Sequence, residues 1–373
     1  MTKKLYFVLA VIIMASMALA ACAKATPTTA PVVEPTAVPA TAVPATAVPA
    51  TEVPATAVPA PKLKICQVTD TGGIDDKSFN ATAWKGVEDA ITQLGVEGKY
   101  LESQQQTDYE KNINAFIEDK CDLIITVGFL LGDATKAAAE ANPDVKFSIV
   151  DYAYDPVIPN VLGQVFNTDQ AAFMAGYVAA ATTKTGKVAS FGGMQIPTVT
   201  VFMDGFFYGV KYYNEKNGTS VEALGWDPVA GTGSFTGNFE SLDDGRALGQ
   251  TFMDEGADII MPVAGPVGQG TAAICQERGN CWIIGVDNDW TLTVPTYKDI
   301  ILTSVLKKMD ATTLEAVKAV QDGTFKGGVV VGSLENSGVG LSAIAASAVT
   351  DKLTAELKDV AAGIIAGTIQ TKP

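Results

Sequence analysis

The sequence predicts an α/β protein with two Rossmann-like doubly wound lobes joined by a hinge. Three observations carry this. From residue 62 onward, short apolar runs alternate with helical patterns. The runs lack a polar alternation, as strands covered on both faces by helices do. The alternation also falls into two successive series of similar length, and two βαβ series of that kind make two parallel sheets side by side. Hydrophobic residues are 47% and charged residues 18% of the 373, enough for a large core.

The first sixty residues do not belong to that pattern. Residues 1–21 read as a secretory signal: Lys3 and Lys4, an apolar run, then small residues, too short to span a bilayer. Leu19-Ala20-Ala21-Cys22 resembles a bacterial lipobox, which makes Cys22 the lipidated first residue of a membrane-anchored, extracytoplasmic protein. Residues 22–61 form a Pro/Ala/Thr-rich spacer in which Val-Pro recurs every five residues from Val38 to Val58. Fixed φ angles and missing donors favour an extended polyproline II tether, reaching roughly 100 Å. The folded part is then 62–373.

Within it, Leu63–Thr69 reads as a strand ending at Asp70 and a glycine turn. A helix begins near Ser78, capped by Asp76 or Ser78, with Trp84, Val87, Ile91 and Leu94 on one face. A short strand near Tyr100–Ser103 leads to Asp108, an N-cap, and the helix YEKNINAFIEDK. Strand 122–128, helix 134–142, strand 145–151, strand 161–166 and a helix to about 184 follow. The second series runs through GKVASFGG, a helix near 198–217, SVEALGW, LDDGRALGQTFMDEG, ADIIMPVAG, GQGTAAICQERG and CWIIGVD. The segment DIILTSVLKK, an amphipathic helix and a C-terminal helix at 350–368 return to both lobes. Lobe 1 is therefore about 62–165 plus part of 290–335. Lobe 2 is about 166–288 plus the C-terminal part.

Composition excludes several functions. With no histidine, a His general base, the usual triads and His-ligated metals are absent. The 26 basic residues against 41 acidic ones argue against nucleic acid. Removing the signal takes away Lys3 and Lys4 and no acid, so the net charge goes from −15 to −17. Cys66, Cys121, Cys275 and Cys281 remain after Cys22. The CQERGNC segment makes Cys275 and Cys281 a candidate disulfide, while Cys66 and Cys121, in or beside apolar strands, read as buried free thiols. No CxxC spacing supports zinc.

Ligands of open parallel sheets bind beyond the carboxyl ends of the strands. Asp70, Asp133, Asp151 and Asp287 follow strands, and each would also serve as a helix cap. As a set they suit the hydroxyl groups of a sugar, since carboxylate oxygens accept where hydroxyls donate.

The first such loop, VTDTGGIDDKSFNATAWKGVEDA (68–90), resembles the opening motif of the basic membrane lipoprotein family, the PnrA-like solute-binding lipoproteins of ABC importers. GFLLGDA (128–134), NPDVKFSIVD (142–151), FNTDQAAFMAGYVAA (166–180), FMDGFFYGVKYYN (202–214), GSFTGNFE (233–240), EGADIIMPVAG (255–265), IIGVDNDW (283–290) and ILTSVLKKMD (301–310) follow in the same order. The resemblance implies a type I periplasmic-binding-protein fold, a purine nucleoside ligand, ABC permease partners, no cofactor and no catalysis. It implies a base stacked between Phe79 and Phe235, with Asn80, Asp70 and Asp133 on the base or a hydroxyl, and Asp287 and Lys307 on the ribose. Asp151 is a reserve candidate. The family commonly carries aspartate-glutamine after the position of Asp287, where this chain has Asn288-Asp289-Trp290, so Trp290 is placed near the cleft. Riboflavin or a sugar in the same role, a calcium-dependent nucleoside hydrolase suggested by DTGGIDD, and a surface sensory or adhesion lipoprotein remain as alternatives.

Overall fold

A computed structural model describes residues 62–372. The signal, Cys22 and the spacer lie outside the described residues. No described helix is long and apolar enough to cross a membrane.

The chain runs β1 (Lys64–Val68), α1 (Phe79–Leu94), β2 (Glu97–Leu101), α2 (Tyr109–Glu118), β3 (Leu123–Val127), α3 (Gly132–Ala141), β4 (Phe147–Val150) and β5 (Val161–Phe166). Next come α4 (Thr168–Thr182), β6 (Lys187–Gly192), α5 (Pro197–Asn217), β7 (Glu222–Leu224), β8 (Trp226–Asp227) and β9 (Thr232–Gly233). Then follow α6 (Leu242–Asp254), β10 (Ile259–Val263), α7 (Val267–Arg278), β11 (Trp282–Asp287), α8 (Trp290–Thr293) and β12 (Ile301–Lys307). The chain finishes with α9 (Met309–Gln321), β13 (Gly328–Gly332), β14 (Val339–Leu341) and α10 (Asp351–Ile365).

Twelve strands form two six-stranded sheets, ordered β13-β5-β4-β3-β1-β2 and β14-β12-β11-β10-β6-β7, while β8 and β9 make a separate antiparallel pair. The first is parallel throughout, and the second is parallel except for the β12–β14 pair. Apolar strands such as β3 and β10 are buried at every residue, as helices on both faces require. The chain passes between lobes three times: between β5 and α4, between β12 and α9, and between β13 and β14.

Local chemistry explains the helix starts. The Asp76 carboxylate accepts from the backbone N–H groups of Ser78 (2.9 Å), Asn80 (2.7 Å) and Ala81 (3.0 Å), so Asp76 caps α1. The Asp108 carboxylate instead receives the N–H groups of Gln104 and Gln105 at 3.1 and 3.2 Å, so it closes the turn before α2 and caps no N–H group of that helix. Ser241 caps α6 through the Asp244 N–H.

Two expectations change here. The inward stripe of α1 is Ala83, Gly86, Val87 and Ala90, packed on α9 with Met309, Ala316 and Val317. Ile91 is exposed and Trp84 half-buried. Gly86 allows that approach, because a Cβ there would lie 2.4 Å from the Asp310 carbonyl oxygen. Cys66 and Cys121 are not free thiols but a disulfide, with Cα atoms 6.1 Å apart. Cys66 lies on β1 opposite Ile124 of β3, and Cys121 enters β3, so only the sheet order makes them neighbours. Cys275 and Cys281 form the second disulfide, from α7 to the start of β11.

Candidate functional site

Between the lobes lies a cleft with a cavity of about 70 Å³ that opens to solvent. Its walls come from the carboxyl ends of β1, β3 and β4 in one lobe and β10, β11 and β12 in the other. The first turns of α1 and α5 and the 233–240 loop complete it.

The third strand in each sheet order ends in an aspartate with left-handed backbone: Asp151 after β4 (φ 69°) and Asp287 on β11 (φ 70°). Non-glycine residues adopt that conformation at a cost, and it persists where the surroundings enforce it. Both carboxylates are buried and both pKa values rise, because burial outweighs the opposing pull of the Lys307 ammonium. Lys307 Nζ bonds Asp151 Oδ2 at 2.5 Å across the lobes and lies 4.8 Å from the Phe79 ring centre. The Phe166 and Phe202 rings stand 5.4 and 5.8 Å from it. A lysine between aromatic faces and a carboxylate is held in one direction, which removes rotamer entropy before any ligand arrives.

At the base of α1, Asn80 Nδ2 donates to Asp70 Oδ1 (2.6 Å) and more weakly to Asp76 Oδ2 (3.3 Å), while its Oδ1 accepts from the Asp70 N–H (3.3 Å). Gly72 N–H donates to the same Asp70 Oδ1 at 3.0 Å. Asn80 is thereby occupied in orienting Asp70, and none of these bonds falls on Asp70 Oδ2. Burial raises Asp70 to about 6 and Asp76 to about 7, against the lowering effect of their hydrogen bonds. The charged residues lining the cleft are thus four carboxylates and one ammonium.

Of the residues picked from sequence, the cleft brings together Asp70, Phe79, Asn80, Asp287 and Lys307, with Asp151 beside them. Asp133 does not line it; it sits exposed in the first turn of α3. Phe235 is also outside: it bridges Gly192 and packs edge-on against Trp226 at 5.9 Å. Phe239, four residues on in the same loop, takes the cleft wall, resting on Gly193, where a Cβ would meet its ring at 2.3 Å. Phe129, Phe202 and Ile196 were not picked out and also line it. Trp290 is a core residue, buried, with its indole N–H on the Val286 carbonyl at 3.0 Å.

A closed cleft between two parallel-sheet lobes, with aromatic walls and inward acids, defines the class of two-lobed solute-binding proteins. The family model for ABC transporter substrate-binding protein, PnrA-like (Bmp), matches residues 63–372, and the chain belongs to that family. Among relatives, it is 31% identical over 319 residues to the ABC transporter nucleoside-binding protein BmpA of Lactococcus lactis, covering 80% of this chain and 85% of that one. It is 32% identical to basic membrane protein A of Borreliella burgdorferi over 72% of this chain and 75% of that one. A solved ABC transporter solute-binding protein from Aeropyrum pernix K1 superposes with a TM-score of 0.75 at 26% identity, over 83% of this chain and 94% of that one. The protein is a substrate-binding component of an ABC transporter and not an enzyme. The hydrolase reading of DTGGIDD accordingly falls: Asp76 caps a helix, Asp75 is exposed, and no group of three or more acids or cysteines fit to hold a metal occurs among the described residues.

Proposed function

We propose that the protein captures a purine nucleoside between its lobes and hands it to the permease from a lipid anchor on Cys22. The observation that carries this reading is one closed cleft whose walls are aromatic and whose inner end holds Asp151, Lys307 and Asp287. A flat base fits against Phe79 and Phe239, where base–aromatic stacking contributes about 1–3 kcal/mol. Ribose hydroxyls donate to the carboxylates and accept from Lys307. Base N–H groups donate to Asp70 Oδ2, the oxygen left open by Asn80. Four acids against one lysine disfavour a phosphorylated ligand, since a buried like charge is costly. The nucleoside-binding name of the Lactococcus relative supports the same ligand class.

Closure makes each polar contact stronger by excluding water. No chemical step follows, so the lack of histidine costs the function nothing. A thermal-shift screen of residues 62–373 against nucleosides, riboflavin and simple sugars tests the ligand. A nucleoside at a hundred times its Kd adds about 2.7 kcal/mol of stability. A response to riboflavin or a sugar alone would overturn the nucleoside assignment and leave the transport role standing.

A further inference from the structure

A second cavity, of about 60 Å³, adjoins the cleft where the chain crosses from β5 into α4. It shares Asp151, Thr198 and Lys307 with the cleft, so the two spaces meet at the buried ion pair. Its other walls are Val165 and Phe166 at the end of β5, Thr168 at the start of α4 and Val201 on α5. About 10–15 Å³ of such space holds one water, so this cavity takes a group of a few heavy atoms.

The polar groups around it have hydrogen bonds to spare. Thr168 is 1% exposed, and its Oγ1 has no hydrogen-bond partner among the described residues. A buried hydroxyl without a partner carries its full desolvation cost, so one that persists beside a cavity calls for a partner from outside the fold. The ion pair is joined through Asp151 Oδ2, which leaves Oδ1 and the other N–H groups of Lys307 for further bonds. These groups stand beside a wall that Val165, Phe166 and Val201 make apolar. A hydroxyl both donates and accepts, which suits a carboxylate oxygen, an ammonium and a second hydroxyl together. A methylene suits the apolar side. The two combine in a hydroxymethyl group, and a ribose carries one. Its ring hydroxyls sit directly on ring carbons, whereas the 5′ hydroxyl stands one carbon further out.

We propose that this cavity is a subsite for the 5′-hydroxymethyl arm of the bound nucleoside, and that Thr168 is a specificity residue that recognises the arm's hydroxyl beside the Asp151–Lys307 pair. The methylene lies against Val165 and Val201, and the oxygen completes the hydrogen bonding of Thr168 Oγ1. The identity of the arm rests on the nucleoside reading. A nucleoside without the 5′ hydroxyl leaves Thr168 unpaired, and a site built around a hydroxyl rejects the analogue that lacks it. A 5′ phosphoryl group would set its negative charge against Asp151.

Isothermal titration tests this with adenosine, guanosine and inosine, each beside its 5′-deoxy counterpart, on wild type and Thr168→Val. Valine keeps the volume and removes the hydroxyl. For wild type, the 5′-deoxy compounds are expected to bind about ten- to a hundredfold more weakly than their parents. Thr168→Val should lose about five- to tenfold toward the parents and stay within about twofold of wild type toward the 5′-deoxy compounds. A purely structural role for Thr168 would weaken both kinds of ligand alike, and that result overturns the subsite. Equal binding of parent and 5′-deoxy compound by wild type also overturns it, while leaving the nucleoside reading standing. No heat from any of the six overturns both together. The ligand-free variant should melt no lower than wild type, because it loses a buried hydroxyl that the fold leaves unpaired. A melting temperature several degrees lower would show that hydroxyl engaged within the fold, and would overturn the subsite as well.

Discussion

On the proposed reading, a proton and a ligand compete for Asp70. Burial holds its carboxyl near 6, so a ligand N–H that donates to Oδ2 favours the ionised form and releases a proton. Affinity should therefore rise up to about tenfold from about pH 5 to about pH 7.5. Asp70→Asn should flatten that profile in calorimetric titrations, while keeping the acceptor that Asn80 uses. Stability of the ligand-free protein moves the other way. Folded pKa values near 6 and 7 for Asp70 and Asp76 exceed the ordinary 3.8, so their contribution is complete below that value and is lost as pH rises through about 6 and 7. A melting temperature that rises over that window on their account would contradict the burial argument. The aromatic wall offers a sharper residue-level contrast. Phe239→Ala should weaken nucleoside binding by about 1–3 kcal/mol, and Phe235→Ala should weaken it less, since its ring meets Trp226 and not the cleft. The resemblance pointed to Phe235 in this loop, whereas the ring that lines the cleft is Phe239: two phenylalanines four residues apart in an irregular segment carry no periodicity that says which one faces inward.

At the scale of elements, α1 connects packing to binding. Its outer stripe reads as apolar in sequence, with Trp84, Ile91 and Leu94, yet the helix buries its small residues because α9 crosses close by. The crossing partner lies more than two hundred residues later, and nothing local in α1 announces it. Gly86→Ala should cost about 1–3 kcal/mol in denaturant unfolding, because the new Cβ meets the Asp310 carbonyl and Thr313. The strands were far more legible. Unbroken apolar runs such as LIITV and IIMPV announce burial on both faces, and the acids after them, Asp70, Asp151 and Asp287, stand at the cleft for a topological reason. Asp133 stands outside the cleft lining because it lies in the first turn of α3, one turn beyond its strand.

The described residues form two largely parallel six-stranded sheets joined by three crossings, with the candidate site where they meet. Alternating strands and helices in two series made that architecture readable, whereas contacts between series, the Cys66–Cys121 disulfide among them, depend on strand order. That disulfide closes a separation of 55 residues, so Cys66→Ala with Cys121→Ala should lower unfolding stability by about 2–4 kcal/mol. The central claim is that the closed cleft holds a purine nucleoside. Isothermal titration of residues 62–373 with adenosine, guanosine and inosine tests it most directly. The account predicts saturable one-to-one heat with at least one of them and much weaker binding for Asp287→Ala. No heat with any of the three, or equal affinity for the corresponding monophosphate, would contradict it.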